Sequence, residues 1–124
     1  MASNKTILLI EDEPEFRLAL RLRLEANGYA VIEAEDGAMG LDMARNKSPQ
    51  LIMLDIMLPK MDGFKVANWL KSDQKYKHIP LMILTVMSQD NNRKMGAVVG
   101  ADAYLTKPYQ PQELLDLVAT LISR

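Results

Sequence analysis

Five short apolar runs alternate with longer amphipathic stretches along the chain, and this alternation constrains the fold more than any other feature. The runs are TILLIE (Thr6 to Glu11), YAVIEA (Tyr29 to Ala34), LIMLD (Leu51 to Asp55), PLMILT (Pro80 to Thr85) and AYLT (Ala103 to Thr106). All but the second are nearly all-apolar, as strands covered on both faces must be. The segments between them are long enough for the helical crossovers that parallel strands require. The expected architecture is α/β, with five βα units forming a parallel sheet between helices. No repeat, linker or low-complexity segment interrupts the pattern. With 124 residues and 48% hydrophobic content, the chain suits one domain with one full core, over residues 1–124.

The first connection tests that reading, because LALRLRL (Leu18 to Leu24) alternates with period two and resembles a strand by that rule alone. Asp12 and Pro14 mark a helix start, Gly28 a stop, and the residues between are rich in Leu, Arg, Ala and Glu without β-branching. A helix is therefore expected. Its inner face carries Phe16, Ala19, Leu20 and Leu24, whereas Leu18 and Leu22 point elsewhere. Packing of those two leucines under a neighbouring element is expected; a partner-docking surface is the alternative.

Composition narrows the function. Lys and Arg number 15 against 16 Asp and Glu, a formal net charge of -1, so no global basic field draws the chain to nucleic acid. Cysteine is absent, which excludes disulfides and thiolate metal sites. No apolar run approaches the roughly 20 residues of a membrane span, and MASNKT lacks the regions of a signal peptide. A cytoplasmic protein without direct nucleic-acid or membrane contact is expected.

In an open parallel sheet, ligands bind beyond the carboxyl ends of the strands, near the point where strand order reverses. There the first run delivers Glu11, Asp12 and Glu13, the third Asp55, the fourth Thr85, and the fifth Thr106, Lys107 and Pro108. Each has an ordinary explanation alone; Asp12, for instance, can cap the first helix. Together they are harder to dismiss. Asp55 has no counter-charge in its own segment, and carboxylates crowded at neighbouring strand ends repel unless a cation lies among them. Three acids without His or Cys form a hard-oxygen site suited to Mg2+, with Mn2+ the alternative, and Mg2+ beside a lysine points to phosphoryl chemistry.

ILLIEDEP (Ile7 to Pro14), LIMLDIMLPKMDG (Leu51 to Gly63), MILT (Met82 to Thr85) and ADAYLTKP (Ala101 to Pro108) resemble, in order and spacing, the receiver domains of two-component response regulators. The resemblance covers nearly the whole chain and implies a flavodoxin-like sheet of order 2-1-3-4-5. It implies that Asp55 is the phosphoacceptor, served by a histidine kinase, a phosphotransfer protein or a small donor such as acetyl phosphate. Asp12, Asp55 and the backbone carbonyl of Met57 would bind Mg2+, and Glu11 would act mostly through a bound water. Lys107 would pair with Asp55 and then with a phosphoryl oxygen, Thr85 would offer its hydroxyl, and Tyr104 would turn inward as Thr85 moves. The bond before Pro108 would be cis. Catalysis would extend only to the domain's own phosphorylation and dephosphorylation, with its effect on the surface around the fourth helix, fifth strand and fifth helix.

Some residues depart from the family pattern. Val86 stands where Ala or Gly is frequent, and Met57 and Met87 flank the site without the polarity to position a hydrolytic water, so slow dephosphorylation is expected. Ala103 and Leu117 replace charges that pair in some dimeric relatives, so a monomer or weak dimer is expected. Trp69 is read as packed, His78 as a surface or loop residue rather than a relay histidine, and Pro59 as a turn former. The chain ends just after the fifth helical segment, so the output is expected to come from a protein partner or from a domain absent here. A degenerate receiver acting as a phosphorylation-independent binding module is the alternative. A phosphohydrolase is disfavoured, because such enzymes usually place a second acid where this chain has Met57.

Overall fold

Three of the apolar runs become inner strands covered on both faces, whereas AYLT, expected to be covered likewise, lies at a sheet edge with only Leu105 buried. A computed structural model of the chain describes residues 5–56, 63–85 and 100–123. Its strands are β1 (Thr6–Ile10), β2 (Ala30–Ala34), β3 (Leu51–Asp55), β4 (Leu81–Thr85) and β5 (Ala103–Thr106), all parallel in the order β2-β1-β3-β4-β5. The helices among the described residues are α1 (Pro14–Ala26), α2 (Gly37–Lys47), α3 (Gly63–Ser72) and α4 (Pro111–Ile122). The crossover expected between β4 and β5, and with it Val86 and Met87, lies outside the described residues, as do Met57 and Pro59. Five βα units with a parallel sheet are what the sequence pattern predicts, and the strand order is the flavodoxin-like one that the resemblance implies.

Strand pleating divides the core into two layers. Leu8, Ile10, Ile52, Leu54, Leu81 and Ile83 face α2 and α3, meeting Ala44, Val66, Ala67 and Leu70. Their neighbours Ile7, Leu9, Leu51, Met53, Met82 and Leu84 face the other way, toward Leu20 and Leu24 of α1 and Leu114, Val118 and Leu121 of α4. Each fully buried Leu, Ile, Val or Met side chain contributes about 1.5–3 kcal/mol of transfer free energy. β2 lies at the sheet edge, and its mixed sequence shows in partly exposed residues.

Helix α1 begins at Pro14 and ends before Gly28, whose φ of 92° suits glycine. Glu13, not Asp12, holds the cap position. Leu20 and Leu24 are buried and Phe16 packs beside them, but Ala19 is exposed, at the rim of the expected face. The expectation that Leu18 and Leu22 lie under a neighbour is corrected: they are 54% and 57% exposed. Helical spacing turns them away from Leu20 and Leu24, toward a side that no described element covers enough to bury them.

At the opposite edge of the sheet, Lys71 ties four segments together. Its ammonium donates to the carbonyl oxygens of Lys77 (2.7 Å) and Ile79 (3.0 Å) and to Asp102 Oδ2 (3.0 Å), which also accepts from the Leu81 amide at 2.8 Å. The starts of β4 and β5 are thereby fixed. Trp69 is half-buried, stacked on Tyr76 at 5.8 Å with the Arg45 guanidinium 4.5 Å from its ring centroid, so it packs as expected. His78 is exposed in the turn before β4.

Candidate functional site

The parallel register brings the strand ends to one edge. Asp55 is paired with Leu84, and Thr85 with Thr106, so Thr85 and Lys107 emerge just beyond the carboxylate. β1 and β3 lie side by side at the reversal of strand order, which places Glu11 and Asp12 next to Asp55. One carboxylate oxygen from each of Glu11, Asp12 and Asp55 lies within 4.8 Å of the other two. Glu11 and Asp55 are buried and Asp12 is the more open.

Burying two carboxylates is costly unless a cation offsets them. Lys107 is that cation. Its amide donates to the Thr85 carbonyl at 2.7 Å, its bond to Pro108 is cis, and its side chain turns back over the strand ends. Nζ lies 3.0 Å from Asp55 Oδ2 and 3.0 Å from Glu11 Oε1. Burial works against the ammonium charge, yet the Glu11 hydrogen bond and the Asp55 charge outweigh it and hold the Lys107 pKa above its ordinary value.

Glu11 is further held by the Glu13 amide, 3.2 Å from Oε2, while its own carbonyl accepts from Arg17 at 2.8 Å. Burial first, and the Asp55 charge second, push the Glu11 carboxyl up from 4.5 to about 7 against the pull of Lys107. Near neutral pH the pocket therefore holds more negative charge than it can comfortably keep. An all-oxygen donor set in that state is suited to a hard divalent cation.

Thr85 is fully buried at the end of β4, and Tyr104 is half-buried on β5, against the α2 and α3 side of the core. Met57, expected to offer a carbonyl, lies outside the described residues. Sequence reasoning paired Lys107 with Asp55 but missed its equal contact with Glu11. It also missed Phe16, whose ring centroid is 3.7 Å from Lys107 Nζ. The available signal was the place of Phe16 one turn before Leu20 on the inner face of α1. Tyr109 packs edge-on against Phe16, and burial raises its hydroxyl pKa to about 12, with Arg23 opposing the rise and Glu11 adding to it.

Comparison with known proteins agrees with this geometry. Residues 7–119 match the response regulator receiver domain family. The chain is 42% identical over 118 residues to the DNA-binding dual master transcriptional regulator RpaA of Synechocystis, covering 95% of this chain and 49% of that protein. It is 39% identical over 121 residues to the alkaline phosphatase synthesis transcriptional regulatory protein PhoP of Bacillus subtilis, covering 98% and 50%. It thus spans about half the length of both. The receiver domain of the sensor histidine kinase PA1611 of Pseudomonas aeruginosa, solved with a magnesium ion coordinated in its active site cleft, superimposes with a TM-score of 0.90 at 25% identity, over 98% of this chain and 100% of that one. The chain belongs to the response regulator receiver domain family.

Proposed function

We propose that this domain is a phosphorylation-dependent signalling switch in which Asp55 accepts a phosphoryl group from a histidine kinase, a phosphotransfer protein or a small donor, with Mg2+. The observation that carries the reading is the placement of Asp55, buried at the carboxyl edge between Lys107 and the acids Glu11 and Asp12. Asp12 and Asp55 would hold the ion, with Glu11 acting mostly through a bound water and the Met57 carbonyl added as the family resemblance implies. The acidic cluster and the relative with magnesium in its cleft support a metal here. When bound, Mg2+ supplies positive charge to the phosphoryl oxygens.

In the transfer, an Asp55 carboxylate oxygen forms a bond to phosphorus as the bond from phosphorus to the donor atom breaks. The electron pair leaves with the donor. The transferring group resembles metaphosphate, so the protein's task is alignment and neutralisation of charge on its oxygens. Lys107 neutralises one oxygen and keeps the carboxylate in place. The Thr85 hydroxyl then donates to the acyl phosphate, drawing in the end of β4, and Tyr104 follows. The resulting change lies around residues 86–99, β5 and α4, where a downstream protein or an output domain reads it. The domain catalyses only its own phosphorylation and dephosphorylation, in the cytoplasm, and itself touches neither DNA nor membrane.

Intact-protein mass after incubation with acetyl phosphate tests the proposal. The wild type should gain one phosphoryl group with Mg2+ and none with chelator, and Asp55→Asn should gain none. A folded, Mg2+-supplied wild type that accepts nothing from acetyl phosphate or from histidine kinases would support the binding-module alternative.

A further inference from the structure

The surroundings of the Lys107 ammonium decide where it points. Two of its N–H groups are aimed at carboxylates, 3.0 Å from Glu11 Oε1 and 3.0 Å from Asp55 Oδ2. A third side is covered by the ring of Phe16, with Nζ 3.7 Å from the centroid. That is well inside the roughly 6 Å over which the negative face of an aromatic ring attracts a cation. The ring itself is fixed. Tyr109 meets it edge-on, at 6.4 Å between centroids and 88° between planes, and it projects from the stretch of α1 anchored by buried Leu20 and Leu24.

We propose that Phe16 is a positioning residue for phosphoryl transfer: its ring face holds the Lys107 ammonium between Glu11 and Asp55. The proposal rests on the reading of Asp55 as phosphoacceptor. A lysine side chain is flexible, and a compact ammonium keeps its hydration tightly, so carboxylates alone allow it to tilt toward solvent. A ring on the third side closes that path without adding a competing acceptor. Leucine at this position would fill much of the same apolar space but would offer no negative face. Packing and electrostatic attraction therefore separate experimentally.

Three variants make the test: Phe16→Leu, Phe16→Tyr and Lys107→Met. With acetyl phosphate and saturating Mg2+, the phosphorylation rate of Phe16→Leu should fall about two- to thirty-fold, the range of a cation–π contact, while Phe16→Tyr stays within about twofold of wild type. Urea denaturation supplies a readout independent of phosphorylation. The destabilisation caused by Phe16→Leu should shrink when Lys107 is already Met, by about two- to thirty-fold in the folding equilibrium constant. A Leu variant as fast as wild type, equal slowing in the Leu and Tyr variants, or strict additivity with Lys107→Met each overturns the proposal. A coupled pair in a wild type that accepts no phosphoryl group overturns the functional reading and the positioning role together, leaving only the contact.

Discussion

Replacing Glu11 with Gln should make the metal-free protein more stable near neutral pH, although it removes an ion pair. Burial and the neighbouring Asp55 charge raise the Glu11 carboxyl from 4.5 to about 7 despite Lys107 at 3.0 Å. A pKa raised on folding means that the folded protein holds the proton more tightly than the unfolded chain. The favourable contribution is complete below about pH 4.5 and is lost as pH rises through about 7. At about 1.4 kcal/mol per pH unit, that interval sets a ceiling of about 3.5 kcal/mol. Water reaching the pocket past the more open Asp12 reduces it, and about 1–2 kcal/mol is expected. Gln keeps the shape and the Oε1 acceptor, and Lys107 keeps Asp55. In urea denaturation with chelator, the two proteins should differ little at about pH 5, and Glu11→Gln should lead at about pH 8. Mg2+ should narrow or reverse that lead, because a cation relieves the repulsion. A variant less stable by the same amount at both pH values would refute the reasoning and show that the pair with Lys107 outweighs burial.

Other perturbations read other parts of the fold. A Cβ at Gly63 would lie 2.6 Å from the Ile56 carbonyl oxygen and 2.7 Å from its carbon, so Gly63→Ala must displace backbone next to Asp55. Thermal denaturation should show a loss of about 2–4 kcal/mol, with slower phosphorylation of the protein that still folds. Lys71→Met leaves the Lys77 and Ile79 carbonyls and Asp102 without this donor, and urea denaturation should show a cost of about 1–3 kcal/mol. Asp36 Oδ1 caps α2 by accepting from the Met39 amide at 2.9 Å, so Asp36→Ala should cost about 0.5–2 kcal/mol in the same assay.

The inner strand runs were legible because both-face burial leaves a continuous apolar signal: β3, buried throughout, coincides residue for residue with LIMLD. β5 coincides with AYLT although it is an edge strand in which only Leu105 is buried. β1 and β4 are each one residue shorter than expected, at Glu11 and Pro80. The Glu11 amide still pairs with the Ala34 carbonyl, and the Pro80 carbonyl accepts from Ile52, so hydrogen bonding across the sheet continues past the formal strand ends. Helix α1 was legible despite its period-two leucines because Pro14 and Gly28 punctuate it. The exposure of Leu18 and Leu22 was not, since a helical wheel gives direction but not what covers it. The acids and lysine were readable as a set from their strand-end positions. Their pairing was less so: Lys107 reaches Glu11 across 96 positions of sequence, and the Phe16 ring meets Lys107 only once α1 lies on the sheet.

The central claim is that Asp55 carries the phosphoryl group, and the most direct measurement locates it. Acyl phosphates are reduced by borohydride to the alcohol, so protein treated with acetyl phosphate and Mg2+, reduced, digested and sequenced by mass spectrometry should show homoserine at position 55 alone. A phosphoryl group found instead on His78 or Thr85, with Asp55 unreduced, would contradict the account.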